Sequence, residues 1–139
     1  MTILDTNVFS EVVKPRPEPK VLDWLGAQVY HDVYLTAMTM AEVLHGLNWM
    51  PEGKRRTELH NAVDALFRHE FAGRILHFDE AAAMSCADLV AARERAGRPV
   101  AAFDAQIAAI AKVHSAIVAT RNIKDFEFTG VALVNPWSA

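Results

Sequence analysis

Ile3-Leu4-Asp5-Thr6-Asn7 is a short apolar run that stops at a carboxylate and turns directly into polar, helix-starting residues. The pattern predicts a strand with Asp5 at its carboxyl end. In open α/β sheets the ligand crevice lies outside those strand ends, so a carboxylate there is well placed for chemistry. Outward from it, Val8, Phe9, Val12 and Val13 open a helix that breaks at Lys14, because Pro15 disfavours helical geometry in the residue before it. Pro19 suits the first turn of a second helix, with Val21, Leu22 and Leu25 as its apolar face and Gly26 near its end. Residues 33–36, Val-Tyr-Leu-Thr, read as the second strand.

The alternation continues along the chain. Met40, Val43, Leu44 and Leu47 fall on one helical face that must end before Pro51, with Glu42 on the first turn. Leu59, Val63, Leu66 and Phe67 form the stripe of a long amphipathic helix that starts with Lys54, Arg55, Arg56 and Glu58. Ile75, Leu76 and Phe78 make a short strand ending at Asp79, which caps an Ala-rich helix over 80–96 stopped by Gly97 and Pro99. Asp104 opens the next helix, marked by Phe103, Ile107, Ile110 and Ala111. Residues 116–119 read as a buried strand, 120–125 as the loop at its end, and 131–134 as a last strand. Strands alternating with helices predict an α/β fold with a parallel sheet and right-handed crossovers.

With 139 residues, 52% of them hydrophobic and 22% charged, and no internal repeat, one domain spanning 1–139 is expected. A net charge of −3 offers no global attraction to nucleic acid, so a polyanion must be held locally or through bound metal. Cys86 is the only cysteine, which excludes an internal disulfide and a multi-cysteine metal site and suits a reducing cytosol; a buried small hydrophobe is its expected role. No basic stretch followed by an apolar run opens the chain, and no run approaches membrane-spanning length. The expectation is a cytoplasmic protein with no membrane partner.

Each acid has a structural reading as well as a chemical one. Thr39 and Glu42 match a T-x-x-E capping box, and Asp5 and Asp104 suit helix starts, where a cap contributes on the order of 1 kcal/mol. Their joint placement at successive strand-to-helix junctions, with Asn122 at a further strand end, favours chemistry. Clustered carboxylates repel, and a hard dication resolves the conflict: Mg²⁺ takes an octahedron of oxygens, one or two carboxylates with waters and phosphate oxygens, and Mn²⁺ often replaces it. An ion so placed points to phosphodiester hydrolysis by a metal-activated water.

The stretches ILDTNVFSEVVKP (3–15), TAMTMAEVLHGL (36–47), AAFDAQIAAIA (101–111), IVATRNIKDF (117–126) and VNPW (134–137) together resemble the PIN domain family, in particular VapC-type toxins of the FitB kind. The resemblance spans nearly the whole chain in the family's order and spacing. It implies a three-layer α/β/α sandwich around a mostly parallel sheet, with an acidic pocket for Mg²⁺ or Mn²⁺. It further implies a ribonuclease toxin of a type II toxin–antitoxin system, held by a VapB- or FitA-like antitoxin, usually as a homodimer or within a larger toxin–antitoxin assembly. Carried over by residue, it makes Asp5, Glu42 and Asp104 the catalytic and metal-holding carboxylates, with Thr6 and Asn7 as polar supports. The family's fourth acidic position falls on Asn122, which offers an amide oxygen without charge. Asp125, three residues on, either compensates or serves the loop.

Other features point elsewhere or nowhere. Glu42 and His45 form a single E-x-x-H where a di-iron bundle needs two, and none of the six histidines makes an H-E-x-x-H. Phosphate-binding and dinucleotide glycine motifs are absent, and Asp5-Thr6-Asn7 lacks the D-x-D of an aspartyl-phosphate enzyme. Lys54, Arg55, Arg56 and Arg121, with Arg68 and Arg74, are candidates to track RNA phosphates or are simply solvated. Trp24, Trp49 and Trp137 are expected to pack in the core or against a partner. The competing functional reading is a non-catalytic PIN-like module that binds protein or RNA, its metal affinity lost with the charge at Asn122.

Overall fold

Thr2–Leu4 (β1) is buried along its length at the centre of a five-stranded sheet in the computed structural model, which describes residues 1–139. The other strands are Val33–Thr36 (β2), Ile75–Leu76 (β3), Ile117–Ala119 (β4) and Ala132–Val134 (β5). They lie in the order β3-β2-β1-β4-β5, and every neighbouring pair is parallel. From β1 the chain winds outward to β2 and β3, then returns to add β4 and β5 on the other side. The reversal falls between β1 and β4, where Thr2 pairs with Ile117 and Leu4 with Ala119. Ligand crevices open at such a switch point.

Period-two alternation places Ile3 and Val118 on one face and Leu4, Leu35 and Ala119 on the other, so both faces are buried, as parallel sheets require. Glu80–Arg95 (α5) and Ala102–Val113 (α6) cover the first face with Leu89, Ile107 and Ile110. Thr6–Val12 (α1), Pro19–Gly26 (α2), Ala37–Trp49 (α3) and Lys54–Ala65 (α4) cover the second with Val8, Phe9, Val21, Leu47 and Val63. Phe9 stacks on Phe67 at 5.3 Å and meets Phe71 edge-on at 6.3 Å. The result is a three-layer α/β/α sandwich. No helix is long and apolar enough to cross a membrane.

Several local expectations change. The expected capping box at Thr39 and Glu42 does not form: α3 starts earlier, and the hydroxyl of Thr36 accepts the Thr39 amide at 3.2 Å. Glu42 therefore sits past the first turn and its carboxylate is released for other contacts. The loop expected over 120–125 contains a short helix, Ile123–Phe126 (α7). Phe78 lies outside β3, which is only two residues long, and α4 runs into a π-helical turn over Leu66–Glu70. Cys86 is half-buried rather than fully enclosed. Trp24 and Trp137 pack against the core, whereas Trp49 is 79% exposed. Asp79 caps α5 by accepting the Ala82 amide at 2.9 Å, and Pro19 occupies the first turn of α2.

Candidate functional site

The switch point gathers its polar residues from four elements. Asp5 follows β1, is 4% exposed and caps α1, accepting the Thr6 amide at Oδ1 (2.8 Å). Its Oδ2 accepts the Thr120 hydroxyl at 2.8 Å and the Asn7 side-chain amide at 3.0 Å. Thr120 follows β4, so the two adjacent strand ends are joined through the carboxylate itself. The Asn7 side chain also accepts the Arg121 backbone amide at 3.1 Å, which fixes the turn after β4. From the far side, the Thr6 hydroxyl donates to Glu42 Oε1 at 2.8 Å and lies 3.1 Å from the Thr39 hydroxyl. This bond ties the second turn of α3 to the start of α1.

Asp104 enters from the first turn of α6, and Asp125 from α7. Burial pushes the Asp104 carboxyl up to about 6, reinforced by the charges of Asp5, Asp125 and Glu42 and opposed by Arg93. Asp5 is raised from its ordinary value chiefly by burial, against the hydrogen bonds from Thr120 and Thr6, with Glu42 and Asp125 adding repulsion. Four carboxylates thus share one field, and none of them forms an ion pair with Lys or Arg. Asn122 stands at the start of α7 without a side-chain cap bond, its backbone amide donating to the Thr120 hydroxyl at 3.0 Å.

The acids face one another loosely. No three His, Cys, Asp or Glu residues are drawn together as a ready-made metal cage, so the tight chelate that clustering suggested is not built. The donor set nevertheless suits a hard ion of the Mg²⁺ type. It is all oxygen and uncompensated, and such ions take only one or two carboxylates and complete their shell with water and phosphate.

The basic candidates separate by geometry. Arg55 lines a groove that ends at Thr6 and Glu42, while Lys54 is paired with Glu58 (3.7 Å) and Arg56 donates to Asn48 (3.4 Å). Arg121 is exposed and lies over the Trp137 ring, 5.0 Å from its centroid. Arg68 is paired with Asp64 at 2.9 Å. Arg74 is turned inward: it is 9% exposed, sits between Tyr30 and Phe71, and donates to the carbonyls of Tyr30, Val33 and Glu70. Its work is to fasten the β2–β3 edge. Thr120 and Arg93 escaped the sequence reading, and Thr39 entered it only as a helix cap; a threonine directly after the β4 strand was the one visible signal among them.

The PIN domain family matches residues 2–130. A VapC ribonuclease, Y4jK, from Sinorhizobium fredii is 44% identical over 137 residues, covering 99% of this chain and 98% of its own length. The toxin FitB of Neisseria gonorrhoeae is 42% identical, covering 99% of both chains. The crystal structure of FitAcB from the same organism superposes with a TM-score of 0.94 at 42% identity and 100% coverage of both chains. A sandwich with a reversal point flanked by Asp5, Glu42 and Asp104, together with these similarities over the full length, means that the chain belongs to the PIN domain family, with relatives named as VapC ribonuclease and FitB toxin.

Proposed function

We propose that the protein is the toxin of a type II toxin–antitoxin pair: a cytoplasmic, homodimeric endoribonuclease, one PIN domain per chain, that requires Mg²⁺ or Mn²⁺. The observation that carries this reading is the uncompensated charge at the switch point, where Asp104 is held near 6 by burial and by Asp5, Asp125 and Glu42. Such a site favours a cation over a proton at neutral pH. Asp5, Glu42 and Asp104 would hold the ion, which when bound supplies Lewis acidity to a water and to the phosphate oxygens.

The chain's own groups set the stage for that chemistry. Thr6, Asn7 and Thr120 fix the Asp5 carboxylate in one orientation, and Thr6 does the same for Glu42 through one oxygen, leaving Oε2 free. Asp104 has no comparable restraint and depends on α6 for its position. Asp125 supplies the fourth negative charge that Asn122 lacks, from the same short helix. Purified protein freed of antitoxin should cleave structured RNA with Mg²⁺ or Mn²⁺ and stop when EDTA is added. Cleavage that persists in EDTA overturns the mechanism, and absence of both cleavage and Mn²⁺ binding favours the non-catalytic module.

The groove of ≈ 570 Å³ between α1, α3 and α4 has an apolar floor that includes Val43, Leu47, Met50 and Leu59, and runs up to Thr6 and Glu42. It suits an antitoxin segment that lays apolar side chains on the floor and brings a basic one to Glu42. Met50→Arg should weaken inhibition by the cognate antitoxin about 30-fold, the equivalent of a 2 kcal/mol hot spot. An inhibition titration checks this: cleavage by the free variant stays unchanged, and an unaltered titration curve counts against the groove.

A further inference from the structure

Arg93, near the end of α5, is 4% exposed and has no carboxylate partner. Its guanidinium serves backbone carbonyls instead. Nε donates to Arg98 O at 2.7 Å, Nη2 to Pro99 O at 3.5 Å, and Nη1 to Lys124 O at 3.1 Å and Glu127 O at 2.6 Å. The first pair of acceptors lies on the link that leads into α6 and Asp104. The second pair lies at the end of α7, which carries Asp125.

We infer that Arg93 is a positioning residue of the nuclease site, locking the approach to Asp104 and the helix of Asp125 into one register. The inference rests on the nuclease reading above. A helix as short as α7 has little stability of its own, and Asn122 gives it no side-chain cap. Arg93 instead satisfies carbonyls at its C-terminal end, the end where a cation is favoured. A planar fork reaches two segments at once with fixed directions, which an ammonium does not reproduce. A buried charge is also an expensive way to hold a core together, since an apolar side chain of similar volume often does as well or better. The neighbouring turn is held by a second arginine through different contacts. Phe128 adopts a left-handed φ of 62°, and Arg98 lies over its ring at 4.7 Å while pairing with Glu127 at 3.0 Å.

The test compares wild type with Arg93→Lys and Arg93→Met in three readouts: Mn²⁺ affinity of the folded fraction by electron paramagnetic resonance, kcat and KM for RNA cleavage, and amide exchange over residues 122–127. Both variants should bind Mn²⁺ about 10-fold or more weakly, the scale seen when groups supporting metal ligands are lost. They should lose kcat with little change in KM, and should exchange faster across α7. Millimolar guanidinium ion added to Arg93→Ala should restore part of the Mn²⁺ affinity. Variants that only melt at lower temperature, with wild-type Mn²⁺ affinity and kcat per folded molecule, overturn the positioning role and leave the nuclease reading standing. Wild-type protein that binds no Mn²⁺ overturns both.

Discussion

Asp104→Asn should abolish metal-dependent RNA cleavage, by about 10³-fold in kcat, while raising the melting temperature of the metal-free protein. A lost ligand charge removes several kcal/mol of electrostatic stabilisation, and about 4 kcal/mol corresponds to that factor. Stability moves the other way because the charged form of Asp104 is disfavoured by burial and by Asp5, Asp125 and Glu42. An uncharged isostere relieves that repulsion, and a gain of about 1 kcal/mol shifts the melting temperature of a chain this size by roughly 3 °C. Asp5→Asn provides the contrast. Cleavage should fall as far, but its amide would confront the Thr120 and Asn7 donors that now point at Oδ2, so no stabilisation accompanies the loss. Single-turnover cleavage beside thermal unfolding separates the two variants. Equal stability changes at both positions would contradict this division of roles.

Manganese affinity should weaken about tenfold between pH 7 and pH 5. With a carboxyl held near 6, Asp104 is mostly ionised at the upper value and mostly protonated at the lower, and the ion competes with that proton. The sign for folding is the reverse. The folded-state value lies above the ordinary 3.8, so between about pH 4 and 6 the native state keeps a proton the unfolded chain has released. This group's contribution to stability is therefore greatest below that window and falls as pH rises through it. Asp104 is only half-buried, so water screens part of the effect. Calorimetric titrations across this range check the affinity, and Asp104→Asn should flatten the profile. A wild-type affinity that does not change with pH would mean that no proton competes with the ion, and a pH dependence that survives Asp104→Asn would assign the proton to another group.

Residues whose role follows from chain direction were legible in the sequence. A carboxylate directly after an apolar run had to emerge at a strand end, and Asp104 ahead of an Ile-rich helical face had to sit on a first turn; both placements hold. Three-residue strands such as β1 and β4 still registered because flanking helices bury both their faces. Where two local patterns competed, tertiary context decided. Thr36 caps α3 because the helix starts directly after β2, three residues before a Thr39 cap would start it, and this frees Glu42 to meet Thr6 across 36 positions of chain. Arg74 and Arg93 carry the same charge as the solvated Arg68, and only folding shows carbonyls converging on them. The proposed exchange of Asn122 for charge at Asp125 was likewise open in the sequence. The electrostatic partners of Asp5 and Asp104 include Asp125, which α7 carries directly after the end of β4.

Under the proposed function, Asp5, Glu42 and Asp104 jointly hold one divalent ion at the point where the sheet reverses direction. Crystals of the protein freed of antitoxin and soaked in Mn²⁺ test it through anomalous scattering. A manganese peak coordinated by Asp5 and Asp104 oxygens, after the end of β1 and on the first turn of α6, is expected, and it should be lost in the Asp104→Asn crystal. Manganese bound only elsewhere on the surface, with the strand ends empty at saturating metal, would contradict it.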